Sequence, residues 1–172
     1  MVSDGVSIKD SCVASVGKTV SDGVTVKGFF EVEHRRNGVL IARGVHRNIV
    51  VSAGKAGIAS RINGSGAEAV FTYLAIGTGS TGALPAQTAL VAEISTGGGE
   101  RAAATCTRVT TTTTNDTAQF YKIWTFSAGF TVAEAGVFND ASAGTMLARA
   151  LIGPYTVISG DTLALTYKVV TA

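Results

Sequence analysis

Val24-Thr25-Val26-Lys27-Gly28-Phe29-Phe30-Glu31-Val32-Glu33 runs on to Asn37-Gly38 and returns as Val39-Leu40-Ile41-Ala42-Arg43. Both flanking runs are rich in β-branched and aromatic residues, which suit a pleated, half-buried surface. Asn-Gly between two such runs is the strongest short-range hairpin signal, because both central positions of a type I′ turn need φ > 0. The stretch therefore predicts a β-hairpin, and the chain beyond it continues in the same vein.

Downstream, Asn48-Ile49-Val50-Val51 reads as a short strand leading into one helix. Ser52 is the expected N-cap and Asn63-Gly64 the expected stop. Ile58 and Ile62, four apart, would share one face, and the helix would plug one end of the β structure. Further strands are expected over residues 70–76, 101–109 with the threonines 110–114 as its extension, 119–126, 130–138, 145–152 and 162–170. With about eight strands, short turns and no βαβ alternation, the fold class is all-β: an antiparallel β-sandwich or jelly-roll-like domain with one short helix.

The domain is placed at residues 23–172, with residues 1–22 as an extended N-terminal arm poor in bulky apolar side chains. This arm carries an internal repeat. Val2-Ser3-Asp4-Gly5-Val6-Ser7-Ile8-Lys9 returns as Val20-Ser21-Asp22-Gly23-Val24-Thr25-Val26-Lys27. Each copy joins an Asp-Gly turn signal to alternating β-formers, and two copies are too few for a solenoid.

Composition narrows the function classes. Hydrophobic residues make up 46% of the chain and charged ones only 15%, against about a quarter in an ordinary globular domain. Sparse charge favours association, so much of the surface is expected to lie against neighbours. The net charge of +2 and scattered basic residues, clustered only at His34-Arg35-Arg36, argue against a nucleic-acid partner. No apolar run approaches the 18 or so residues of a membrane span. The start of the chain lacks the pattern of a signal peptide, and a protein made and assembled in the cytoplasm is the corresponding expectation. Cys12 and Cys106 are far apart and fit neither a zinc site nor a redox motif; they read as free thiols, with an intermolecular bridge as the alternative.

Motifs for catalysis or cofactors are weak. Gly77-Thr78-Gly79-Ser80-Thr81-Gly82 satisfies G-x-G-x-x-G, but a dinucleotide loop must open a helix, and here the chain continues into Ala83-Leu84-Pro85-Ala86. The glycines read as a tight, solvent-facing connection. His34 and His46 stand among arginines with no metal-ligand spacing and read as surface residues. Phe120, Tyr121, Trp124 and Phe126 read as core first and as a sugar-stacking platform second. No catalytic, cofactor-binding or metal residues are assigned, and the expected protein is not an enzyme.

One resemblance joins several segments. Phe71-Thr72-Tyr73-Leu74-Ala75-Ile76-Gly77-Thr78-Gly79-Ser80-Thr81, Gln87-Thr88-Ala89-Leu90-Val91-Ala92-Glu93-Ile94, Val132-Ala133-Glu134-Ala135-Gly136-Val137-Phe138-Asn139, Gly144-Thr145-Met146-Leu147-Ala148-Arg149-Ala150 and Ser159-Gly160-Asp161-Thr162-Leu163 follow in that order. Taken together over about residues 45 to 170, the set resembles small structural proteins of tailed bacteriophage virions. Glu134-Ala135-Gly136-Val137-Phe138 is similar to the E-x-G-x-[FY] strand of phage fibre attachment domains. The resemblance implies an external tail, collar or fibre-associated subunit, assembled in the host cytoplasm, touching tail, collar or capsid proteins and forming a homo-oligomer such as a trimer. A capsid decoration protein clamping neighbouring capsomers is the first alternative, and a receptor- or carbohydrate-binding module the second. The family supplies no catalytic residues.

Overall fold

A computed structural model describes residues 23–66 and 68–171; the expected arm and Cys12 lie outside the described residues. The described residues form ten strands and one helix: β1 (Val26–Arg36), β2 (Val39–Arg47), β3 (Ile49–Val50), α1 (Ser52–Asn63), β4 (Tyr73–Gly77), β5 (Ala102–Ala103), β6 (Thr105–Val109), β7 (Thr117–Thr125), β8 (Phe130–Phe138), β9 (Met146–Val157) and β10 (Thr162–Thr171). Two five-stranded sheets result, ordered β2-β1-β10-β7-β6 and β3-β9-β8-β4-β5. Every named pairing is antiparallel. The fold is an all-β sandwich, as the sequence predicts.

The opening hairpin forms where Asn-Gly demands it: Asn37 and Gly38 have φ of 49° and 78°. Alternation then sorts each strand. Phe30 and Val32 of β1, Leu163, Leu165 and Tyr167 of β10, and Phe120 and Trp124 of β7 point inward from the first sheet. Leu74 and Ile76 of β4, Ala135 and Val137 of β8, and Ala148, Ala150 and Ile152 of β9 meet them from the second. Each large side chain buried this way contributes about 1.5–3 kcal/mol. The chain changes sheets four times: at Asn48 between β2 and β3, at Ala104 between β5 and β6, in the turn between β7 and β8, and in the turn between β9 and β10.

Three local expectations are corrected. Ser52 is the first helical residue, not the cap; Val51 holds the cap position without a side-chain bond, and the Ser52 amide donates to the Pro85 carbonyl at 2.8 Å. The two isoleucines do not act together: Ile58 packs partly buried against the core, while Ile62 is 83% exposed. The buried residues of α1 are Gly54 and Gly57, which let the backbone lie directly on β9 and on Phe71. The threonines 110–114 do not extend a strand. Asp116 folds them into a loop, accepting the amides of Thr111, Thr112 and Thr113 at 2.8, 2.7 and 2.7 Å. These bonds hold its carboxyl well below the usual range.

The glycine face of α1 yields a sharp expectation. Alanine is about 1 kcal/mol better than glycine inside a helix, yet a Cβ at position 54 would collide with the Leu147 carbonyl. We predict that Gly54→Ala lowers stability by about 1–3 kcal/mol through overpacking, seen as a lower urea midpoint. A midpoint equal to or above that of the parent would mean that α1 does not rest on β9.

Candidate functional site

The E-x-G-x-F segment of β8 proves to be a single working face. Glu134, Gly136 and Phe138 alternate onto the outer side of the second sheet, where residues 78–101 lie across them. Glu134 Oε1 accepts the amides of Gly79 (3.1 Å) and Ala92 (2.7 Å). Its Oε2 accepts the Val91 amide (3.0 Å) and Arg149 Nε (2.7 Å). Arg149 goes on to donate to the Thr81 carbonyl at 2.8 Å and to the Gln87 side chain at 3.0 Å. Both charged side chains are wholly buried.

The neighbours on that face follow the same logic. Gly136 leaves room for Leu90, whose Cδ2 would stand 2.9 Å from an added Cβ. Phe138 carries the Arg101 guanidinium 3.6 Å above its ring, and Arg101 is paired with Glu93 at 2.6 Å. Val51, Ala75, Leu90, Phe138 and Met146 make a second small core beneath this cover. Gly77 and Gly79 of the G-x-G-x-x-G stretch are therefore not a solvent-facing connection. Both are buried against Glu134, with Oε1 2.6 Å from where a Cβ at Gly77 would sit. A carboxylate with four donors has no free lone pair for a substrate. Chemically, this site ties a loop to a sheet.

The second polar cluster closes one end of the sandwich. His34 is buried, at 3% exposure, not on the surface as its sequence neighbours suggest. Its Nε2–H donates to Asp161 Oδ2 at 2.8 Å, and Arg36 grips the same carboxylate from Nε (2.9 Å to Oδ1) and from the terminal nitrogen (2.7 Å to Oδ2). The Ile158 amide adds a fourth donor at 3.1 Å. Arg36 foremost, then His34 and the Ile158 amide, hold the Asp161 carboxyl well below the usual range. His46 shares a 2.9 Å hydrogen bond with the Tyr155 hydroxyl, and burial pushes the His46 ring below its ordinary value. The cluster locks the β1–β2 hairpin to the β9–β10 turn.

Neither charge pair is adjacent in sequence, and both were missed. A signal existed for the first: Glu134 and Arg149 each interrupt an otherwise apolar strand, where a lone charge must find a partner. The aromatic residues settle as core, with Phe120, Trp124 and Phe126 buried and the Trp124 indole donating to the Glu100 carbonyl at 2.7 Å. Of that group only Tyr121 looks outward. Cys106 is exposed. Among the described residues, no group of three or more His, Cys, Asp or Glu is placed to hold a metal, and no helix is long and apolar enough to cross a membrane.

Two surfaces stay open. β2 pairs with β1 alone, so its other edge is unpaired among the described residues, and it exposes Val39, Leu40, Ile41 and Val45. Next to it, between the start of β1 and the β3–α1 segment, runs a groove of about 780 Å³. Its walls include Val26, Val45, Ile49 and Val50, with Lys27, Arg47 and Lys55 around them. Val26, Lys27 and Gly28 pair with β10 on one side, while β2 begins only at the Phe29–Arg47 pair. Asn48 Oδ1, buried beside the groove, has no hydrogen-bond partner among the described residues.

No family model, curated protein or solved structure matches this chain.

Breaking a buried ion pair by removing one partner costs about 3–5 kcal/mol, because the other charge is left stranded. Glu134→Gln is expected to fall in that range and to expose residues 78–93 to proteolysis. Glu134→Gln with Arg149→Met should cost less than the two single changes added together. Additive losses would show that the pair is not coupled.

The pH dependence has a fixed sign. A half-buried His46 resists protonation, so stability declines as pH falls below the unfolded value of about 6.5. The depressed Asp161 contributes fully above the unfolded value of about 3.9 and loses that contribution as pH falls further. We expect the melting temperature to decline in two stages on acidification. His46→Gln should flatten the first stage and Asp161→Asn should shrink the second; unchanged profiles in both variants would exclude this assignment.

Proposed function

We propose that this chain is a non-enzymatic structural subunit of a tailed-phage virion, an external tail, collar or fibre-associated component that assembles through β-sheet contacts. The observation that carries the reading is the open edge of β2. A nine-residue edge strand exposing Val39 (65%), Ile41 (48%) and Val45 (65%) is a template for pairing with another chain. Monomeric β proteins blunt such edges with charge, proline or a covering loop. This protein covers the outer face of its second sheet with residues 78–101 and leaves the β2 edge bare.

Composition supports the same conclusion, since a chain with so few charged residues has little to keep such an edge solvated. The ordered segments that resemble virion structural proteins supply the biological setting. In that setting, the β2 edge would be buried against a strand other than β2, from a second copy or from a neighbouring tail, collar or capsid protein.

Quantitative mass spectrometry of purified particles, read against the major capsid protein, tests the assignment. A copy number suited to a single ring or a few fibres is expected. Stoichiometry close to that of the capsid protein would move the protein to the capsid surface as a decoration subunit. Absence from the particle would overturn the virion reading altogether.

A further inference from the structure

We propose that the groove beside the start of β1 receives residues 2–9 of a second copy of this chain, laid in as an added strand. The inference rests on the structural-subunit reading and names the contact by which the copies would join. Its first support is the groove itself. Val26, Lys27 and Gly28 present a strand edge paired on one side only, and Asn48 Oδ1 lies buried beside them without a donor. The free backbone groups along one side of Val26–Gly28 can take the hydrogen bonds of an added strand.

The second support is the fit of the segment. In an extended strand Val2, Asp4, Val6 and Ile8 fall on one face. That face is apolar with one carboxylate. The groove is walled by Val26, Ile49 and Val50, and Lys27, Arg47 and Lys55 beside it make no ion pair among the described residues. Apolar side chains meet apolar walls, and Asp4 meets three cations.

The repeat is the third support. Val6-Ser7-Ile8-Lys9 matches Val24-Thr25-Val26-Lys27, and the latter copy runs into β1 at the mouth of the groove. The same pattern that feeds β1 in one chain can therefore act as a strand for its neighbour. The linker between residue 9 and Gly23 can span up to about 50 Å when extended, enough to reach an adjacent subunit. The groove is continuous with the bare β2 edge through Val45 and Arg47, so a strand arriving from outside meets one uninterrupted surface. Identical segments exchanged between identical grooves would close a symmetric ring.

The test uses the full-length chain in two isotopic forms, ¹⁴N and ¹⁵N, mixed equally in urea and refolded together. A zero-length carbodiimide reagent then joins carboxylates to amines in contact, and the linked peptides are read by mass spectrometry. We expect Asp4 linked to Lys27 or Lys55, with about half of the linked pairs carrying both isotopes, as random mixing of a contact between copies requires. Val6→Asp with Ile8→Asp should reduce these links at least tenfold while leaving the circular dichroism of the β domain unchanged. Links found only within one isotope would assign the segment to its own chain and overturn the proposal, as would the absence of Asp4 links to either lysine. Presence in the particle at ring stoichiometry without mixed links would refute this contact and leave the subunit reading standing. Absence from the particle together with mixed links would do the reverse.

Discussion

The Glu134 carboxylate is the constraint on which much of the second sheet depends. Apart from the Gly77–Glu93 bridge, which pairs the Thr78 and Ile94 amides, residues 78–94 form no strand or helix, yet they lie across a buried surface. Three other amides of this stretch end on Glu134, and Arg149 balances the charge while capturing Thr81 and Gln87. In a low-dielectric interior such a network costs desolvation, and its value lies in fixing one arrangement when every member is satisfied. Once the loop is fixed, Leu90 has a place to pack, Phe138 is covered and Arg101 has a ring to lie on. Without the carboxylate, the amides of Gly79, Val91 and Ala92 would lose their acceptor.

That covering makes the two sheets unequal. The second sheet is buried on both sides near β8, and the burial of Glu134, Ala135, Gly136, Val137 and Phe138 in succession reflects this. The first sheet follows the ordinary pattern of one core face and one outer face, with Tyr121 and Ile123 exposed. Among the described residues, its β2 edge has neither a loop nor a helix over it. The end lock of His34, Arg36 and Asp161 holds the tip of the β1–β2 hairpin against the β9–β10 turn. An exposed edge on a rigid support is suited to contact with another chain, whereas a loose hairpin would first have to be ordered.

The parts of this fold legible in the sequence are those governed by local rules. Asn37-Gly38 dictates its turn by backbone conformation alone, and Gly64 ends α1 in the left-handed region with φ of 70°. Strand alternation identifies β10 because its inward residues Leu163, Leu165 and Tyr167 are large and apolar. Where local rules fail, a contact distant in sequence has won. Threonine favours strands, yet the threonines at 111–113 bend around Asp116 because its carboxylate offers three amides a charged acceptor. Ile62 looks like a core residue in the helical pattern, but the close approach of Gly54 to Leu147 turns the helix so that its small face is buried. The G-x-G-x-x-G stretch opens no helix; its place in the fold depends on Glu134, more than fifty residues away.

The placement of charge carries the last step. The chain is already poor in charged residues, and several that it has are not on its surface. Glu134 and Arg149 are wholly enclosed, Asp161 is 1% exposed, and the guanidinium of Arg101 lies against Phe138. The outer surface is therefore less charged than the composition suggests. Electrostatic repulsion and hydration are the usual means by which a β protein keeps an apolar edge from pairing. Along β2 the aliphatic Val39, Leu40, Ile41 and Val45 are exposed beside the equally exposed Arg43 and Arg47, so the edge carries charge of one sign only. The cations along that side, Arg43, Arg47, Lys27 and Lys55, would oppose a second β2 strand laid edge to edge, because like charges would face one another. They favour instead a strand that brings carboxylates. The same surface thus invites association and selects against the simplest self-pairing, which is how a β edge is kept for one defined partner.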